Sequence, residues 1–257
     1  VSTYSSYFRS SMSTGWYRKW FNAPYYNLLY AHRDDMEAGA FLSGLLDAWD
    51  CRESADILDM ACGNGRHAAA LSEMGHWVTG IDLSGARVRE ALNRQLEQAK
   101  FYIHDIRTPF RVRYYDWVLN LYTSMGYTHS EQDNLNVVKS AALALKPGGR
   151  LVIDFLNPYQ VRKNLNDFEV QTIDNIVFRI TRELTDNSIE KVIVVEDGIQ
   201  TFTFKESVQL LEPEDFLRYF SQTGLSLRTI YGNYQLEPFD PHTAERMILV
   251  AQKSHVS

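Results

Sequence analysis

Residues 57–71 read ILDMACGNGRHAAAL and residues 80–84 read GIDLS. Asp56–Met60 is predicted to form a short apolar strand, and Gly65–Met74 a helix ended by Gly75. Between them Gly63, Gly65 and Ala68 match G-x-G-x-x-G/A, placed after a strand and opening a helix. Glycine has no Cβ, so backbone N–H groups and a ligand can approach one another closely in such a turn. Trp77–Ile81 predicts a second strand. Asp82 at its end lies roughly 20 residues after the first glycine, where a carboxylate can accept both hydroxyls of a ribose.

The glycine pattern alone is shared with dinucleotide-binding proteins. Three further features bear on the choice. Asp59 sits just before the loop, where a carboxylate would repel a pyrophosphate and attract a methionine ammonium. Asp105 follows a predicted third strand, Phe101–Ile103, where it could receive an adenine amino group. Residues 145–153, LKPGGRLVI, read as a turn at 146–149 followed by a fifth strand, Leu151–Phe155.

Taken together, D-x-A-C-G-N-G-R-H, G-I-D-L-S and L-K-P-G-G-R-L-V-I resemble class I S-adenosylmethionine-dependent methyltransferases, strongly over about residues 56–156 and loosely elsewhere. The ACGxGRH form and the stretch Leu121–Tyr127 (LYTSMGY) are similar to the small-molecule branch, including aminosugar N,N-dimethyltransferases and their bacterial relatives. The resemblance implies an α/β, Rossmann-like seven-stranded sheet of order 3-2-1-4-5-7-6 with strand 7 antiparallel. It also implies S-adenosyl-L-methionine as cofactor. Carried over residue by residue, it assigns Asp59, Ala61, Gly63, Asn64 and Gly65 to the loop that holds the methionine part. Asp82 and Leu83 become the ribose and adenine-wall positions, Asp105 and Ile106 the adenine edge, and Leu121 and Tyr122 the backing of the cofactor. From the N-terminal segment it adds Tyr26, then Tyr30, as aromatic faces for a sulfonium cation, and Arg33 for the methionine carboxylate.

Outward from this core, residues 1–50 read as a helical lid and 51–257 as the methyltransferase domain, with an antiparallel insertion at 165–210. In the lid, Trp16 and Trp20 read as packing residues, and Pro24 interrupts the helical pattern. Ser84 is a candidate N-cap for a helix reaching Gln98, Asp116–Leu121 a fourth strand, and Ser130 with Asp133 a capping box for a helix to Leu145. Within 168–210 the segments IVFRITREL, KVIVVED and IQTFTFKESVQLL alternate with period two, and Asp197-Gly198 marks a hairpin turn. Such a sheet needs one covered face, met either by capping the pocket or by pairing subunits as a homodimer. Pro213 opens a helix to Gln222, and strands near Leu225–Tyr231 and Arg246–Ala251 close the chain.

Methyl transfer is an in-line displacement at an activated carbon, so positioning and water exclusion are expected to carry catalysis. His129 and Tyr26 are the candidates for a catalytic group. For His129 a solvated loop position beside the helix cap is the competing reading. His67 reads as structural and His104 as a wall residue. Asn157-Pro158-Tyr159 follows strand 5, whereas amino-group methyltransferases of DNA and protein carry a similar motif after strand 4; it reads as a helix-opening turn. A net charge of −6 also disfavours a nucleic-acid partner. Two cysteines, Cys51 and Cys62, provide neither a disulfide framework nor a zinc site, so no metal is expected. No apolar run approaches the ~18 residues of a membrane span. The first residues, rich in Ser and Tyr after Val1, lack a signal-peptide pattern, which makes the cytoplasm the expected compartment; residues 1–15, with the open question of whether 1–11 are native, stay outside the fold reading. The reading is therefore methyl transfer to a small molecule. A non-catalytic binder of S-adenosylmethionine or S-adenosylhomocysteine and an NAD-dependent oxidoreductase are the alternatives.

Overall fold

The computed structural model describes residues 15–30, 35–51 and 53–255. In chain order the first half contains α1 (Trp16–Trp20), α2 (Pro24–Leu29), α3 (Asp35–Ala48), β1 (Asp56–Met60), α4 (Arg66–Glu73), β2 (Trp77–Asp82), α5 (Gly85–Leu92), β3 (Ala99–Ile103) and β4 (Tyr115–Asn120). The second half contains α6 (Glu131–Ala144), β5 (Leu145–Leu156), α7 (Pro158–Lys163), β6 (Phe168–Ile173), β7 (Ile176–Leu184), β8 (Ser188–Asp197), β9 (Gln200–Gln209), α8 (Pro213–Thr223), β10 (Leu225–Tyr231) and β11 (Arg246–Lys253).

Seven strands form one sheet in the order β10-β11-β5-β4-β1-β2-β3. β1 to β5 pair in parallel, while β11 is antiparallel to both β5 and β10. This is the 3-2-1-4-5-7-6 arrangement expected, with the last strand reversed. The central strands carry near-continuous apolar runs because helices cover both faces. On one face Val118, Ile153 and Phe155 pack with α6 and α8; on the other Ile57, Trp117 and Val152 pack with α3, α4 and α5. The C-terminal edge of β1, β2 and β4 is thereby left to loops, which is where ligands bind in such sheets.

Several boundaries differ from the sequence reading. α5 stops at Leu92 instead of Gln98, because Gln95 takes a left-handed φ of 52° that turns the chain into β3. The Lys146–Gly149 stretch is not a separate turn but lies inside a 12-residue β5. Its register against β4 shifts between Tyr115 and Trp117, so these residues form a bulge, and Lys146 reaches across to Asp116 and Asp56. Ser130 caps α6 by accepting the Asp133 N–H at 3.2 Å, but the Asp133 carboxylate goes to Arg107 rather than completing a capping box. The complete box belongs to α8, between Glu212 and Asp215. Pro24, which interrupts the helical pattern, is the first residue of α2.

β6 to β9 form a separate four-stranded antiparallel sheet. Its covered face takes helices of the same chain: Trp20 and Leu29 pack on Phe178, Ile180, Ile193 and Val195. That contact meets the sheet's need for a covered face without a second subunit. The α1–α2 segment thus lies between the antiparallel sheet and the main sheet's ligand edge. No helix among the described residues is long and apolar enough to cross a membrane.

Candidate functional site

The loop from β1 to α4 turns sharply, with left-handed φ at Ala61 (64°), Gly63 (55°) and Gly65 (77°). Gly65 is the N-cap of α4, and a Cβ there would lie 3.0 Å from both Ala91 and Phe101, so glycine is required by conformation and by space. Asp82 fixes the loop from the neighbouring strand end. Its Oδ2 accepts the Gly63 N–H at 2.9 Å and its Oδ1 the Ser84 N–H at 2.7 Å. Burial pushes the Asp82 carboxyl up, against the lowering effect of those two N–H bonds and of Arg87. Asp59, in β1 beneath the loop, is 1% exposed, and its Oδ2 has no hydrogen-bond partner among the described residues. Burial and the nearby Asp82 carboxylate raise its pKa to about 7, Arg66 acting in the opposite direction.

A cavity of about 390 Å³ opens above these strand ends, within the size range of ligand pockets. Of the residues expected at the cofactor, Tyr26, Tyr30, Ala61, Gly63, Asn64, Asp82, Leu83, Asp105, Ile106, Leu121 and Tyr122 line it. Asp59 and Gly65 support the loop without lining the cavity, and Arg33 lies outside the described residues. Asp105 is gripped by Arg107, with Nε to Oδ1 at 3.0 Å and Nη2 to Oδ2 at 2.6 Å, and this bonding holds its carboxyl below the usual range. Arg107 also reaches Asp133 at 2.7 Å.

Tyr122 and Thr123 both have φ of 57°, a costly conformation for residues with a Cβ. Asp154 in β5 holds them there. Its Oδ2 accepts the Tyr122 N–H at 2.8 Å and the Tyr234 hydroxyl at 3.1 Å, its backbone oxygen accepts the Thr123 N–H, and its Oδ1 pairs with Arg246 at 2.8 Å. Tyr122 stacks on Tyr234, and His67 lies 5.4 Å from it between ring centroids. His67, read from sequence as structural, lines the cavity. It is held neutral, with burial and the adjacent Arg66 lowering its pKa to about 3.

His129 is not among the lining residues. Its Nε2 bonds Ser207 Oγ, which donates to Glu190 at 2.5 Å, so it is tied to the antiparallel sheet rather than solvated. Trp20, read as packing, is fully buried but also donates from Nε1 to Glu206 at 2.6 Å. Glu206 accepts from the Tyr30 hydroxyl and pairs with Lys191, both at 2.8 Å. Its carboxyl lies below the usual range because Lys191, Tyr30 and Trp20 outweigh the raising effect of burial. Asn22, between α1 and α2, accepts the Ser84 hydroxyl and Asn27 donates to Glu90, so this segment also touches α5 and its cap. The sequence reading assigned no role to Arg66, Arg87 and Arg107, or to Tyr17, Phe21 and Tyr127, which line the same cavity. Arg66 was visible within the quoted motif; the aromatic wall depends on chain segments far apart in sequence.

Residues 57–149 match the family model described as a methyltransferase domain. Over these residues the chain carries a methyltransferase domain. The proteins it resembles are named for different acceptors. It is 25% identical over 82% of its length to a dTDP-3-amino-3,4,6-trideoxy-alpha-D-glucopyranose N,N-dimethyltransferase from Streptomyces venezuelae, covering 92% of that protein. It is 29% identical to a ubiquinone biosynthesis O-methyltransferase from Hydrogenovibrio crunogenus over 49% of this chain and 52% of the other. The fold is that of an S-adenosylmethionine-dependent methyltransferase from Clostridium acetobutylicum, with a TM-score of 0.78 at 20% identity over 90% of this chain and 96% of the other. Among the described residues no group of side chains is arranged to hold a metal ion.

Proposed function

We propose that the cavity transfers a methyl group from S-adenosylmethionine to a small-molecule acceptor seated against the α1–α2 segment, which serves as a lid. The observation that carries this reading is the cavity's lining. It joins the glycine loop, Asp82 and Asp105 to a cluster of aromatic rings in which Phe21 meets Tyr26 and Tyr127, Tyr17 meets Tyr127, and Tyr26 meets Tyr30. The residues fit the cofactor. The unpartnered Asp59 oxygen suits an ammonium, and the left-handed loop leaves room for close approach. Once bound, the cofactor supplies a methyl group already activated on sulfur. The protein's part is to orient the acceptor and exclude water. Aromatic rings facing the cavity suit both a sulfonium and an acceptor with an apolar face. His67 is too weak a base to take a proton from an ammonium, which favours catalysis by positioning. The relatives act on nitrogen in one case and oxygen in another, so the acceptor atom is left open.

Thermal-shift measurement with S-adenosylhomocysteine and with NAD separates this reading from an oxidoreductase: stabilisation by the former alone is expected. Conversion of S-adenosylmethionine to S-adenosylhomocysteine in the presence of a panel of small amines and phenols tests turnover. Binding without any acceptor-dependent conversion would favour a non-catalytic cofactor-binding protein.

A further inference from the structure

The connection from β3 to β4, residues 104–114, crosses one face of the main sheet past β2 and β1 without a helix, although parallel crossovers usually carry one. Ile106 and Phe110 pack on the core there, and α6 holds the chain where Ser140 donates to the Thr108 carbonyl and Leu143 accepts the Arg113 N–H. A bare loop covers the sheet thinly. Tyr102, Val112 and Tyr114 stay 37%, 62% and 43% exposed. Lys100, two residues before Tyr102 and so on the same face of β3, is exposed as well, as is Arg113.

Rings and cations are interleaved on this surface. Tyr102 lies 5.1 Å from Phe110 between ring centroids. The Arg111 guanidinium carbon lies 5.6 Å from the centre of the Phe110 ring and 4.3 Å from that of Tyr114, and Tyr114 meets Tyr115 at 4.9 Å. Tyr102, Phe110, Arg111 and Tyr114 therefore form a continuous row. No acid occurs between Ile106 and Tyr115, and the acids at either end, Asp105 and Asp116, are engaged by Arg107 and Lys146. Lys100, Arg111 and Arg113 form no ion pair among the described residues. Arg113 also lies near Lys253, whose pKa is lowered by burial and then by that guanidinium, so like charges gather here. In a chain of net charge −6 this is a local exception. None of Lys100, Tyr102, Arg111, Arg113 and Tyr114 lines the cavity, so the surface is separate from the candidate methyl-transfer site.

We propose that this surface binds single-stranded nucleic acid, with Lys100, Arg111 and Arg113 on the phosphates and the Tyr102 and Tyr114 rings stacking with bases. Cations alone would suit any polyanion. Exposed rings set among them add a contact that every base can make and an acidic peptide cannot. A duplex hides the faces of its bases, which leaves the rings without a partner. An anionic bilayer fits less well, because interfacial binding calls for a broad apolar face and Val112 is the one exposed aliphatic side chain of the connection. The acidic total confines binding to this patch and makes it sensitive to salt.

Fluorescence anisotropy with labelled oligo(dT) and oligo(U) of about 12 nucleotides tests this without reference to the cofactor. The native protein is expected to bind at low salt, with affinity falling about 20-fold between about 50 and 200 mM salt, the dependence of about three phosphate contacts to a single strand. Lys100→Glu combined with Arg113→Glu is expected to abolish binding. Tyr102→Leu combined with Tyr114→Leu keeps the charge, and is expected to weaken binding by at least about tenfold with the same salt dependence. A preference for oligo(U) or oligo(dT) names the sugar and supports the proposal either way. Failure to bind either oligonucleotide overturns it, and so does unchanged affinity in the tyrosine variant. Polyglutamate or phosphatidylglycerol vesicles that compete as well as the oligonucleotides at equal charge also overturn it, in favour of an acidic protein surface or a membrane. Unfolding midpoints are measured alongside; should the charge-reversed variant be unfolded, the tyrosine variant decides.

Discussion

Asp82 and Asp59 occupy adjacent strands and have different tasks. Asp82 spends one lone pair of each oxygen on loop N–H groups, leaving the others for a ligand diol. Asp82→Ala removes the loop's anchor and, on the proposed reading, the acceptor for the ribose hydroxyls. It should weaken S-adenosylhomocysteine binding by about 10- to 100-fold, the scale of charged hydrogen bonds; unchanged affinity by calorimetry would refute the assignment. Asp59 carries a pH dependence. Its folded-state pKa of about 7 lies above the unfolded value of about 3.9, so its share of stability is present below pH 4 and is lost as pH rises towards 7. His67 acts in the opposite sense: its depressed pKa means stability present above about pH 6.5 and lost as pH falls towards 3. On the proposed reading, the cofactor's ammonium needs Asp59 ionised. Affinity for S-adenosylhomocysteine should therefore rise about tenfold from pH 6 to pH 8, with proton release below pH 7. Asp59→Asn should bind weakly and without this pH dependence, which calorimetry in buffers of different ionisation enthalpy checks directly. Both carboxylates were legible in sequence, because they sit at fixed offsets from a glycine loop whose strand and helix are local structure.

At the scale of elements, α1 and α2 are too short to be stable helices alone. They are held by the antiparallel sheet, chiefly where Trp20, Tyr30 and Lys191 converge on Glu206. Glu206→Ala leaves Lys191 mostly buried without its carboxylate and removes the oxygen to which Trp20 Nε1 and the Tyr30 hydroxyl donate. Destabilisation of about 3 kcal/mol or more is expected from breaking a buried pair, measured by thermal or urea unfolding. The α1–α2 segment should also become cleavable by protease at lower enzyme concentration. Normal protection and an unchanged unfolding midpoint would show that the segment is held by apolar packing alone. The sequence indicated aromatics at helical spacing and alternating strands. It could not pair them, because Trp20 and Glu206 are 186 residues apart and a buried glutamate looks like any surface acid in a period-two strand. The same blindness applies to Lys146–Gly149. Turn chemistry suggested a free turn, whereas pairing with β4 on the sheet keeps these residues as a bulge within β5.

For the whole molecule, Asp154 joins parts that the chain visits at widely separated times. It connects β5 to Arg246 on β11, to Tyr234 in the segment before β11, and to the strained Tyr122–Thr123 turn after β4. The carboxylate is fully buried, so removing it strands a mostly buried guanidinium and frees two left-handed residues. Asp154→Ala should cost about 3–5 kcal/mol by urea denaturation. The surviving folded protein should also bind S-adenosylhomocysteine less tightly, because the cavity floor at Tyr122 loses its anchor. An intact affinity in a destabilised variant would mean that packing with Tyr234 and His67 suffices to place Tyr122. Sequence inspection showed strand 5 and the closing strands, yet nothing in them marked Asp154 apart from other strand-end acids.

By itself the sequence determined the order and type of the elements, the parallel core, the glycine loop and the acids that accompany it. These follow from short-range periodicity and from fixed spacing within one strand-loop-helix unit, whose geometry the local chain dictates. The tertiary structure decided which wall faces the loop, which charged groups have partners and which do not, and what covers the antiparallel sheet. Those properties depend on contacts between distant segments and on burial, which changes the energy of an unpaired charge. Asp59 was readable from its place before the glycine loop, but that it is buried with an oxygen lacking a hydrogen-bond partner among the described residues shows only in the folded chain.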